Sequence, residues 1–83
     1  MPTFMDHHAQ FPKPSGGALE ALRAQVTAPR DEHGVQGVNV VFVDDGSSYC
    51  LTEAPSADAV LDAHRRTGVP LALEDIRQVS MLV

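Results

Sequence analysis

An apolar start, Thr3-Phe4-Met5, runs into the polar string Asp6-His7-His8, and residues 3–8 read as a strand. Pro12, Pro14 and Gly16-Gly17 mark the loop that follows, with Ser15 placed to cap a helix. Leu19, Leu22 and Val26 then recur at helical spacing and form one apolar stripe. Pro29 either ends this helix near Thr27 or opens a further turn, and Gly34 and Gly37 close the region. The strongest strand signal covers Val38 to Asp44, where Val38, Val40, Val41, Phe42 and Val43 crowd together. Asp45-Gly46 is a hairpin signal, Ser48 to Glu53 reads as the returning strand, and Pro55 stops it. Ser56 is a good N-cap, and Asp58 is favourable in the first helical turn. Ala57, Val60, Leu61 and His64 follow at i, i+3, i+4 and i+7, so His64 shares the buried stripe. Gly68 ends that helix, Pro70 follows, and a last strand is expected from about Asp75 to Leu82.

The order is strand, helix, strand, strand, helix, strand. It predicts a ferredoxin-like α+β sandwich, βαββαβ, with an antiparallel four-stranded sheet and two helices on one face. Right-handed crossovers require the two βαβ units to interleave, which sets strand one beside strand three. The Asp6/His8 end of strand one then lies next to the strand carrying Cys50, and His64 can face the same sheet. A strand that is apolar on both faces needs both faces covered. The second strand is of that kind, so a homodimer joined through the open sheet face is expected.

A length of 83 residues implies one domain over residues 1–83, with a small core that gains from a partner chain. Net charge is −5, and the six Lys and Arg are scattered, which argues against nucleic acid. The one basic pair, Arg65-Arg66, reads as a solvated helix end. The longest apolar run, Val40 to Val43, is too short to span a membrane. The single cysteine excludes an internal disulfide and suits a reducing compartment. No charged and apolar leader precedes the first strand, so a cytoplasmic location is expected.

Candidate chemistry concentrates in a few side chains. Imidazole, thiolate and carboxylate together suit borderline divalent metals such as nickel, zinc, copper or cobalt. Strand alternation puts Asp6 and His8 on one face and His7 on the other, so His7 and His8 do not form a simple ligand pair. Asp6 and His8 read either as part of a metal site or as a polar strand end. His64 is either a ligand or a core histidine bonded to a backbone carbonyl. Cys50 is either a thiolate ligand or a small buried hydrophobe. Glu53 is either an acceptor for an imidazole N–H or a solvated strand-end carboxylate. His33 reads as a helix C-terminal residue, and Asp44 and Asp45 as turn formers. No nucleophilic triad, phosphate loop, Cys-x-x-Cys or His-Glu-x-x-His pattern is present.

Phe4-Met5-Asp6-His7-His8 resembles the F-M-D-x-H opening of a family of small nickel-binding, ferredoxin-like proteins common in actinobacteria. The block from Cys50 to Val60, followed by His64-Arg65, resembles that family's C-L-x-E-x-P-x-A-x-A-V-x-x-x-H-R stretch. The ending Asp75-Ile76, with Val79, is similar to its D-x-I-x-x-V close. The resemblance implies a homodimer that binds a nickel ion, with no established catalytic activity. Carried over residue by residue, it points to Asp6, His8, Cys50, Glu53 and His64 as metal-site residues. The chain departs from the family on helix one, where Arg23 and Gln25 stand in a region that usually carries His and Asp.

The leading expectation is therefore a dimeric nickel protein of storage, buffering or sensing. Its rivals are a dimeric α+β barrel enzyme such as a small monooxygenase, and a metal-free regulatory or interaction module. The enzyme needs a cavity between sheet and helices. The module needs histidines with purely structural roles.

Overall fold

The computed structural model describes all 83 residues. Its elements are β1 (Thr3–His8), α1 (Gly16–Val26), β2 (Gln36–Phe42), β3 (Ser48–Glu53), α2 (Ala57–Thr67), a short 3-10 turn (Leu73–Asp75) and β4 (Ile76–Val79). The four strands form one sheet in the order β2-β3-β1-β4, with every neighbouring pair antiparallel. This is the ferredoxin-like α+β arrangement, and β1 lies beside β3 as the interleaved topology requires.

Each element has a local cause. The Ser56 hydroxyl accepts a hydrogen bond from Ala59 N at 3.2 Å, satisfying one orphan donor at the start of α2. Gly68 closes the same helix at φ +76, a conformation that suits glycine. At α1, by contrast, Ser15 stands at the N-cap without a side-chain cap bond. Pro29 lies beyond the end of α1 at Val26 and opens no further helix, because the chain turns instead around Asp31. The Asp31 carboxylate accepts from the backbone N–H groups of His33 and Val35. His33 is therefore an exposed turn residue and not a helix end.

The β2–β3 hairpin closes through Gly46 N to Val43 O at 3.1 Å, with Gly46 at φ +90. Asp45 Oδ1 accepts from both the backbone N–H and the hydroxyl of Ser47. Gly37 has a different task. A Cβ there would lie 2.6 Å from the Val26 carbonyl oxygen, so the end of α1 rests directly on the β2 backbone. A register irregularity between Gly37 and Asn39 falls beside this contact.

The last strand is shorter than its sequence pattern suggests, ending at Val79 and not near Leu82. The β1–β4 ladder ends with Thr3 opposite Val79, so residues 80–82 have no strand partner. At its other end Asp75 is taken by the 3-10 turn, its N–H bonding Ala72 O at 3.0 Å.

Phe4, Ala54, Val60 and Ile76 make up the fully buried apolar core. Five polar residues are equally buried: Asp6, His8, Ser47, Ser48 and Thr52. In β1 the buried positions are Phe4, Asp6 and His8, so one face of a single strand passes from core to polar centre within five residues. No helix is long and apolar enough to cross a membrane.

Candidate metal centre

Antiparallel register sets Asp6 directly opposite Cys50 in the centre of the sheet, with His8 two positions further along the same face. The inner stripe of α2 then lowers His64 onto them. Ligand atoms of Asp6, His8, Cys50 and His64 all lie within 4.8 Å of one another. That spread is close to twice a metal–donor bond of about 2.0–2.3 Å.

The group is deeply set. Asp6 is 0% exposed and His8 is 7% exposed. Asp6 Oδ2 lies 2.5 Å from His8 Nε2 and 3.2 Å from His64 Nε2. Yet neither Asp6 oxygen nor His8 Nε2 has a hydrogen bond of acceptable geometry. The close approaches are therefore charge contacts between groups crowded into one small volume. Buried polar atoms without partners are costly, and a cation between them satisfies several at once.

The far side of the His64 ring supports the same reading. Its Nδ1 lies 2.8 Å from the Val60 carbonyl oxygen, one helical turn back. In the neutral ring, donation from Nδ1 to this carbonyl leaves the Nε2 lone pair directed at the cluster. Metal-ligating histidines are oriented in this way by an outer partner. The alternatives of a ligand and a carbonyl-bonded core histidine are thus compatible, since the ring has two nitrogens. His8 is packed from the side by the His64 ring, stacked at 5.2 Å, and edge-on by Phe11 at 5.8 Å.

Electrostatics tie the four groups together. At His8 the Asp6 carboxylate and then Cys50 favour the charged ring, raising its pKa to about 9 despite burial. Burial works against the His64 imidazolium, but Asp6, Cys50 and the Val60 carbonyl more than offset it, and the pKa rises to about 10. Burial alone would raise Asp6, and the two histidines outweigh it and hold the carboxyl below its usual range. Cys50 is likewise pushed up by burial and brought below the ordinary thiol value by His64 and His8. Without a metal, then, the two protonated rings balance the Asp6 carboxylate and favour the thiolate form of Cys50. A divalent cation must replace those protons.

The donor set fits nickel or a similar borderline ion: Asp6 would supply carboxylate oxygen, His8 and His64 imidazole nitrogen, and Cys50 a thiolate. Such an ion would supply strong electrostatic neutralisation at the centre of the chain.

The remaining candidate lies elsewhere. Glu53 is on the opposite face of β3 from Cys50, where its Oε1 accepts from Arg30 Nη2 at 2.6 Å. Arg30 also donates to Gly34 O at 2.9 Å, so the pair fastens the 27–35 loop to the end of β3. His7 is on that open face too, its ring 4.8 Å from Tyr49. Helix α1 brings no donor to the cluster, since Arg23 turns outward toward the exposed Glu20. Sequence reasoning missed Phe11 and Arg30, and expected a carbonyl partner for His64 without identifying it as that of Val60. Only the last carried a signal, the i, i+4 spacing to His64 on a helix.

The family model described as "Nickel responsive protein SCO4226-like" matches residues 4–79. Among solved structures, the crystal structure of SCO4226 from Streptomyces coelicolor A3(2) is similar over 98% of this chain and 99% of that one, with a TM-score of 0.71 and 28% identity. No curated protein matches. A match from the first strand to the last, over a fold that gathers two imidazoles, a thiol and a carboxylate, leaves one assignment: the chain belongs to the SCO4226-like family of nickel responsive proteins.

Proposed function

We propose that this protein binds nickel through Asp6, His8, Cys50 and His64, and acts as a cytoplasmic homodimer in nickel storage, buffering or sensing. The observation that carries the reading is the convergence of four metal-type donors with buried, unpartnered atoms. The family's description as nickel responsive selects nickel among the ions that such a set accepts.

The dimer rests on separate grounds. Both helices cover one side of the sheet, and the other side presents Met5, His7, Tyr49 and Leu51 half-buried, with Val41 48% exposed. A chain with only four fully buried apolar residues gains most by covering that face with a second copy. The isolated thiol of Cys50 suits a reducing compartment. Storage, buffering and sensing share the binding step and differ in what the loaded dimer meets next.

Native mass spectrometry of the tag-free protein titrated with nickel tests the reading, alongside the His8→Ala/His64→Ala double variant. The expected result is a dimer that takes up a whole number of nickel ions, with uptake lost in the variant. A dimer that binds no nickel returns the histidines to structural roles, and a monomer removes the sheet-face interface.

A further inference from the structure

A cavity of about 340 Å³ lies between the sheet and the two helices, against the cluster. His8, Cys50 and His64 line one end of it, whereas Asp6 does not. Leu22 and Val26 of α1 and Val40 of β2 form an apolar wall, and the exposed Gln25, Asp31, Asn39 and Arg66 line its polar margin. Three of the four donors thus border the chamber, and an ion they hold would lie at its end. Four protein donors close a tetrahedral site but leave positions open on an ion that takes five or six ligands. Holding an ion needs no adjoining space of this size, which falls in the range of small-molecule sites, about 300–1,000 Å³. The aliphatic wall holds water poorly but suits an apolar body.

We propose that the chamber binds a small molecule with an apolar body and one metal-ligating head, the head meeting the ion held by Asp6, His8, Cys50 and His64 and the body resting against Leu22, Val26 and Val40. This rests on the metal-binding reading above and adds a ligand class to it. One face of such a ligand is read by the ion and the other by the aliphatic walls, so neither the bare metal nor an apolar molecule alone fills the site.

The test uses the full-length, tag-free protein loaded with nickel, and two probes, imidazole and 4-phenylimidazole. The readout is the visible absorption of the nickel–thiolate chromophore, with nickel retained by the protein measured after desalting. The expected result is a spectral change with both probes at full nickel retention, with half-saturation at roughly tenfold lower concentration for 4-phenylimidazole because its phenyl ring is buried. Leu22→Phe and Val40→Phe, made separately to fill the chamber, are each expected to keep nickel uptake and lose the preference for the phenyl probe. Equal half-saturation for the two probes, no spectral response, or a preference that survives in both filled variants overturns the chamber proposal and leaves metal binding intact. Stripping of nickel by the probes without a bound spectrum also overturns it. Failure of the wild-type protein to take up nickel overturns both readings together.

Discussion

Asp6 is the residue on which the centre turns. It is the only acid in the cluster, it has no exposed surface, and it stands against both imidazole rings. Replacing it with Asn keeps the shape and removes the charge that holds His8 and His64 protonated. Breaking a buried charge arrangement by removing one partner costs roughly 3–5 kcal/mol. Because the two rings can shed their protons, Asp6→Asn is expected at the lower end, a loss of roughly 3 kcal/mol near pH 6 in the metal-free protein. Chemical denaturation measures that loss. Imidazole NMR titration of the same variant should show both rings falling from about 9 and 10 toward the ordinary histidine value. Rings that stay as high without the carboxylate would mean that Cys50 and the Val60 carbonyl, not Asp6, set their protonation.

At the scale of elements, the centre depends on three placements: β1 against β3, α2 over the sheet, and α1 against β2. The first two have visible local causes in the antiparallel ladder and the capped, amphipathic α2. The third depends on a single missing side chain. Gly37 lets the Val26 backbone approach to a distance that no Cβ tolerates, and the obstructing atoms are backbone that cannot rotate away. Gly37→Ala should therefore push α1 off the sheet and cost about 1–3 kcal/mol, the usual penalty of overpacking. Thermal melting of the variant checks this. Since α1 walls the chamber but brings no donor to the cluster, nickel stoichiometry by mass spectrometry is expected to stay unchanged. A fall in stoichiometry would show that the helix supports the ligands after all.

For the molecule as a whole, protons and metal compete for one set of groups, which gives the two states opposite pH dependence. In the metal-free protein the raised pKa values of His8 and His64 stabilise the fold fully below the unfolded-state value near 6.5. That contribution is lost as pH rises through about 9 and about 10. The lowered pKa of Asp6 acts at the other end, its contribution disappearing as pH falls below the usual carboxylate range. Cys50 works the opposite way to the histidines, its contribution growing as pH rises toward the ordinary thiol value of 9.0 and complete above it, but it is one group against two. The metal-free Tm should accordingly fall between pH 6.5 and 10. With excess nickel, binding must release the imidazole and thiol protons, so the gain in Tm on adding metal should grow from pH 6 to pH 8. Paired thermal melts across pH, with and without nickel, check both signs, and a nickel increment that is flat with pH contradicts the ligand set.

Much of this organisation is written locally. Alternation in β1 separates Asp6 and His8 from His7, the helical stripe of α2 includes His64, and the element order sets β1 beside β3. Those periodic features determine backbone geometry over a few residues, and backbone geometry decides which face a side chain takes. The sequence by itself therefore determined the fold class and the shared face of Asp6, His8, Cys50 and His64. Tertiary structure alone decided the rest. Glu53 pairs with Arg30, a partner 23 positions away on a loop whose path has no periodic signal. Strand β4 ends at Val79, the last residue paired with β1, although the apolar pattern continues to Leu82. Phe11 reaches His8, and α1 leaves a chamber over Val40, because the loops fix how far the helices stand from the sheet. Short-range pattern encodes which side of an element is buried; distances between elements follow from the packing of all of them at once.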